Sequence, residues 1–175
     1  MTKPTIVLAF CVALVSGCAV LSPSAMIAVA DLKPTQGNNV SGTTTFVRQG
    51  EKVLVDARIK GLKPGRHGFH VHEVGDCSGP DASSAGGHFN PGGTVHGNPA
   101  AGAHHGGDLG NIEADASGHA VLNATVTMQG LSFAKTGANS IIGRSLVIHA
   151  DADDLTSQPA GNSGKRVACG IIVLQ

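Results

Sequence analysis

Beyond residue 25, short β-rich runs recur between turn residues, and one of them alternates apolar and polar positions. In Lys52–Ile59, Val53, Val55, Ala57 and Ile59 fall on every second position, with Lys52, Asp56 and Arg58 between them. Successive side chains of a strand point to opposite faces, so this period marks a sheet with one packed and one wet face. Short β-rich runs with Gly, Asn, Asp or Pro between them predict further strands over Met26–Lys33, Val40–Arg48, Gly68–Glu73, Ala120–Val126, Ser145–Ala150 and Val167–Leu174. No long amphipathic helix competes, so seven or eight short strands predict an all-β sandwich or barrel. One stretch breaks the pattern. Asp76–Asn111 is dense in Gly, Pro and His and shows no strand period. A structureless loop of that length in a compact domain is functional or disordered, and a bound metal would give it order.

The first residues follow another rule. Lys3 is followed by an apolar run, Ile6–Val15, of signal-peptide length, and then by Ser16, Gly17 and Cys18. Leu14-Val15-Ser16-Gly17-Cys18 resembles a bacterial lipobox, which predicts a signal peptide over residues 1–17, lipidation of Cys18, a membrane tether over residues 18–25, and a mature domain over 26–175. Two alternatives stand beside it. Cleavage after Ala28-Val29-Ala30 also fits the small-x-small rule but would remove most of the first strand. An uncleaved anchor is the other, because charge is absent from Pro4 through Ala30, although the apolar run is short for a span.

Composition narrows the function. The chain has 175 residues, enough for one domain. Twelve Lys+Arg balance twelve Asp+Glu, which removes the electrostatic footprint of a nucleic-acid partner. Nine His in a chain with only 14% charged residues is the largest anomaly, and His is the commonest metal ligand. Of the four Cys, Cys11 and Cys18 fall to the leader, leaving Cys77 and Cys169. In an oxidising compartment these two are expected to pair; two separate buried thiols are the alternative.

The chemistry concentrates in His70, His72, His88, His96, His105, Asp108 and His149. His70 and His72 share one face of a strand, roughly 7 Å apart, and can converge on one ion. A His-x-His pair alone is weak evidence. His88, His96, His105 and Asp108 add three imidazoles and a carboxylate from the unpatterned segment, a set suited to four-coordinate zinc. His149 brings another imidazole from a separate strand. His67 and His119, in turns, are expected to be surface residues, and His104, beside the better-placed His105, a solvated loop residue or an accessory site. Phe46, Phe69, Phe89 and Phe133 are expected in the core.

Gly68-Phe69-His70-Val71-His72-Glu73, Gly86-Gly87-His88-Phe89-Asn90-Pro91, Gly107-Asp108-Leu109-Gly110-Asn111 and Gly161-Asn162-Ser163-Gly164-Lys165-Arg166-Val167-Ala168-Cys169-Gly170 together resemble, in order, the motifs of copper-zinc superoxide dismutases. The resemblance spans roughly Met26–Gln175. It implies an Ig-like Greek-key β-barrel or sandwich of about eight antiparallel strands with long metal-binding loops, and an enzyme that converts superoxide to oxygen and hydrogen peroxide. By the same resemblance, copper is held by His70, His72, His88 and His149, and zinc by His88, His96, His105 and Asp108. His88 then bridges the two metals and takes up a proton when copper is reduced. Asp153 is implied to link His70 and His96, and Arg166 to guide the superoxide anion. The placement of Cys77 close behind His72, with a longer stretch before His88 than in animal cytosolic enzymes, resembles bacterial exported members, and a homodimer is a further expectation. The short Asp154–Gly161 segment lacks the charge series of the animal enzymes' steering loop, so guidance is expected to fall mainly on Arg166, with Lys165 nearby. A copper-buffering protein on this fold predicts missing ligands or a thiol-rich motif, and an inert relative predicts loss of Arg166 or of copper ligands; this chain shows neither departure.

Overall fold

The computed structural model describes residues 25–127 and 131–175. The proposed leader, Cys18 and all but the last residue of the tether lie outside the described residues. Among the described residues, eight strands follow in chain order: β1 (Met26–Pro34), β2 (Ser41–Gln49), β3 (Lys52–Lys60), β4 (Gly65–His72), β5 (Asp108–Ala114), β6 (Ala120–Thr127), β7 (Ser145–His149) and β8 (Arg166–Leu174). They close into one antiparallel barrel in the order β1-β2-β3-β6-β5-β4-β7-β8. Because β3 pairs with β6 and β4 with β7, two connections cross over, as in a Greek key.

Alternation turns into packing as expected. Val53, Val55, Ala57 and Ile59 of β3 point inward and are buried, and Ala28, Ala30 and Leu32 of β1 do the same. Phe46, Phe69 and Phe133, almost wholly buried, fill the barrel in the absence of any Trp or Tyr. Phe89 joins the same core.

Two strands depart from the one-wet-face rule. Every residue of β7 and the last six of β4 are buried, because loops cover the outer surface of this wall. Phe69 and Val71 face the barrel core, while His70 and His72 face outward beneath the loops. The cover is fastened by a Cys77–Cys169 disulfide, whose sulfurs pack with Ala82, Ala85 and Val147 in a second small apolar cluster. It joins residues 92 apart in sequence, worth about 4–5 kcal/mol in the chain-entropy account.

The expectation for Asp76–Asn111 needs correction at its end, where β5 begins at Asp108. Its sequence, Asp-Leu-Gly-Asn-Ile-Glu-Ala, hides the strand because the loops cover the outer side of its first half, so Asp108, Leu109 and Gly110 are all buried and no alternation is written there. The rest of that segment is irregular apart from one 3-10 turn, Ser83–Ala85.

Candidate metal centre

One cluster is built on the barrel wall. β4 supplies His70 and His72, the end of β7 supplies His149, and all three rings are buried. Each ring has one nitrogen fixed from behind. His70 Nε2–H donates to Asp153 Oδ2 at 2.8 Å, His72 Nδ1–H to the Gly86 carbonyl at 3.0 Å, and His149 Nδ1–H to the Gly164 carbonyl at 3.3 Å. A partner on one nitrogen leaves the lone pair on the other. The free nitrogens converge, with His72 Nε2 3.3 Å from His149 Nε2 and the His70 ring centroid 4.1 Å from that of His88. Burial lowers the pKa of His70 and His72, and pushes His149 down to about 3. The rings therefore stay neutral, the form a metal requires.

The second cluster comes from the loops and the start of β5. The segment at His88 is laid along the end of β4 by two main-chain bonds, Glu73 N–H to the Gly87 carbonyl and Phe89 N–H to the Val71 carbonyl, and Gly107, just before β5, donates its N–H to the Phe89 carbonyl. Gly107 is required there, since a Cβ would sit 2.3 Å from the Val71 carbonyl oxygen. Asp108 then gathers the histidines. Its Oδ1 lies 2.8 Å from His88 Nδ1 and 3.4 Å from His105 Nδ1, and its Oδ2 lies 3.0 Å from His96 Nδ1. Main-chain N–H groups of His105 and Gly97 donate to Oδ2. Burial acts to raise the Asp108 pKa, but the hydrogen bonds from His88 and these amides outweigh it and hold the carboxyl well below its usual range.

Asp153 couples the two clusters. Its Oδ2 takes the proton of His70 and its Oδ1 that of His96, at 2.8 and 2.9 Å. Burial works against the charged form of His96, yet the Asp153 and Asp108 carboxylates leave its pKa raised. Arg166, half-buried at the start of β8, donates from Nη1 to the Ala82 carbonyl at 2.6 Å and from Nη2 to the Gly86 carbonyl at 2.5 Å. Both carbonyls belong to the loop that the disulfide pins to β8. Gly86 also receives the His72 proton, so one peptide group orients both the guanidinium and an imidazole.

His67 departs from expectation. It is buried, with Nδ1 2.9 Å from the His149 carbonyl and Nε2 2.8 Å from the Lys63 carbonyl, so it props the end of β7 from behind. His119 is exposed and His104 half-buried, and neither joins a cluster. The Ala82 and Gly86 carbonyls carry no signal in sequence, because any residue type offers the same group.

The bare atoms test what the clusters fit. Among the described residues, the buried side-chain nitrogens and oxygens without a hydrogen-bond partner are Thr44 Oγ1, His70 Nδ1, His88 Nε2, His96 Nδ1 and His105 Nδ1. Four of the five are imidazole nitrogens of these clusters. An unsatisfied buried polar atom costs about 1–3 kcal/mol, and such atoms gathered in one place fit donors awaiting a cation. Ligand atoms of His70, His72, His88 and His149 all lie within 4.8 Å of one another, as do those of His88, His96, His105 and Asp108. The first set offers four nitrogens, which suits copper, and the second three nitrogens and a carboxylate, which suits zinc. His88 belongs to both.

Residues 40–172 match the family model of copper/zinc superoxide dismutase (SODC). Among solved structures, the chain is similar to the crystal structure of the clock protein EA4, with 39% sequence identity and a TM-score of 0.75 over 85% of this chain and 94% of that one. The barrel, the disulfide, the two clusters sharing His88 and this match agree, and the chain belongs to the copper/zinc superoxide dismutase family, oxidoreductases that bind copper and zinc.

Proposed function

We propose that this chain dismutes superoxide outside the cytoplasm, with copper held by His70, His72, His88 and His149 and zinc by His88, His96, His105 and Asp108. The observation that carries the reading is the convergence of partnerless imidazole nitrogens at two adjoining clusters that share His88. When bound, copper would supply reversible one-electron transfer, taking an electron from one superoxide to give oxygen and passing it, with two protons, to a second to give hydrogen peroxide, while zinc would supply fixed charge and order.

The chain's own groups do the rest. Arg166, seated on the Ala82 and Gly86 carbonyls, presents a delocalised cation that binds and orients the superoxide anion. Asp153 and the Gly86 and Gly164 carbonyls hold the tautomers that turn bare nitrogens inward. His88, buried and with Nε2 free of protein partners, is the group placed to hold a proton on the copper side for the peroxide step.

Export rests on the leader and lipobox, and the bacterial exported type on the position of Cys77, five residues after His72. A diacylated Cys18 at the mature N-terminus is the expected product, and an intact mass without a lipid increment removes it. The outward aliphatic residues Ile27, Ile171 and Val173 on adjacent strands β1 and β8 support a homodimer through that face; sedimentation as a monomer removes that. The enzymatic reading is tested by superoxide consumption of the copper- and zinc-loaded protein against the same protein stripped of copper. Activity only with copper supports it. Inactivity of folded, fully loaded protein leaves copper buffering in its place.

A further inference from the structure

Gln158 makes a contact that neither the family motifs nor the ligand set call for. Its side-chain amide lies flat against the backbone of His96. Oε1 accepts the His96 N–H at 2.9 Å, and Nε2 donates to the His96 carbonyl at 2.9 Å and to the Thr156 carbonyl at 3.1 Å. Among the described residues, no main-chain group bonds either backbone polar atom of His96. A side-chain amide has the donor and acceptor of a peptide unit, so Gln158 does for this one residue what a neighbouring strand does elsewhere.

The loop that carries Gln158 is shaped to reach His96. Asp154 accepts the N–H groups of Thr156 and Ser157, and Asn162 braces it from the other side by donating to Asp154 Oδ2 and Ser157 Oγ. Gly161, at φ +64°, lies so close that a Cβ would meet Asp153 Oδ1 at 1.8 Å and His96 Nε2 at 2.7 Å. His96 is thus held at three points: its Nε2 by Asp153, its backbone by Gln158, and its Nδ1 beside Asp108. Without Gln158, the two groups fixing the ring remain but the main chain carrying it is untethered.

We infer that Gln158 is a positioning residue for the zinc-side cluster, clamping the His96 backbone so that Nδ1 stays aligned with Asp108. This rests on the zinc assignment proposed above. Partners that orient a ligand typically contribute 10–100-fold in metal affinity.

The test is competition for zinc between the full-length protein and a chromogenic chelator, with the absorption spectrum of cobalt(II) at the zinc-side cluster as a second readout. Three variants are compared. Gln158→Ala is expected to weaken zinc binding at least tenfold and to shift the cobalt bands. Asn162→Ala loosens the same loop without touching His96, and is expected to leave affinity and spectrum close to those of the parent, even where both variants lower the metal-free melting temperature alike. Unchanged zinc affinity and cobalt spectrum in Gln158→Ala, or an equal loss in Asn162→Ala, overturns the clamp. Asp108→Ala separates this from failure of the zinc assignment: if that variant binds zinc as tightly as the parent, the assignment itself is wrong, whatever Gln158→Ala does.

Discussion

The two clusters meet at His88 but are built by different means. His70, His72 and His149 stand on β4 and β7, strands paired to each other and to further strands on both sides. Their positions follow from the barrel, which folds around its own apolar core. His96 and His105 stand on irregular chain held largely by side-chain bonds to Asp108, Asp153 and Gln158. The wall-borne cluster is preorganised by backbone pairing; the loop-borne one depends on a few polar contacts. One chain thereby joins a half fixed by strand pairing to a half held by side-chain bonds.

Removing the carboxylate that gathers the loop should break the comparison most severely. Asp108→Ala is expected to lower zinc affinity more than 100-fold, since it takes away a proposed ligand and not merely an orienting partner, while leaving the barrel folded. Chelator competition and far-ultraviolet circular dichroism check the two halves of that statement. Equal damage to the wall-borne cluster would erase the distinction.

Opening the disulfide comes next. Cys77→Ser with Cys169→Ser should cost up to about 4–5 kcal/mol of stability, read from denaturant midpoints. It should also slow turnover beyond what unfolding explains, because the carbonyls that seat Arg166 lie on the released loop. Turnover unchanged in the folded fraction would detach the disulfide from the arginine.

Acid acts on the metal-free wall cluster with a defined sign. The folded pKa of His149 is depressed from 6.5 to about 3, so between those values the unfolded chain takes up a proton that the fold refuses. Stability is therefore retained above pH 6.5 and lost as pH falls, by about 1.4 kcal/mol per pH unit for one such ring. His70 and His72 shift in the same direction and add to the loss, whereas His96, raised by its carboxylates, partly offsets it. A metal-free denaturation midpoint that is flat from pH 7 to 5 would contradict the burial argument.

Arg166→Ala removes no member of either cluster but takes away the cation beside them. A charge-assisted hydrogen bond contributes about 1.5–3 kcal/mol, so turnover should fall roughly ten- to 100-fold and depend less on ionic strength. An unchanged rate and salt profile would take Arg166 out of the mechanism.

The smallest effect concerns the remaining orphan. Thr44 Oγ1 is buried on the inner face of β2 without a partner, and unlike the imidazole nitrogens it has no cluster around it. Thr44→Val keeps the shape and removes the desolvated hydroxyl, and should stabilise the protein by about 1 kcal/mol. The same kind of atom therefore marks a ligand site in one region and a plain cost in the other.

This contrast also separates what was legible in the sequence from what was not. Period-two alternation located β3 because it has one wet face, β1 and β6 were legible as short β-rich runs between turn residues, and the His-x-His spacing placed His70 and His72 on one side of β4. β5 escaped because its first residues are buried on both faces beneath the loops. His67 looked like a turn residue, yet β4 already begins at Gly65, and its ring reaches a carbonyl 82 residues away. Asp153 was legible only through the family resemblance, and Gln158 not at all, since a glutamine that bonds a backbone 62 residues distant leaves no local pattern.

The central claim is that two different metals sit on either side of His88. Diffraction from crystals of the loaded protein, recorded at the copper and zinc absorption edges, tests it most directly. The account predicts a copper peak bounded by His70, His72, His88 and His149, and a separate zinc peak bounded by His88, His96, His105 and Asp108. Copper among the loop-borne ligands, zinc on the wall, or a peak outside both clusters would contradict it.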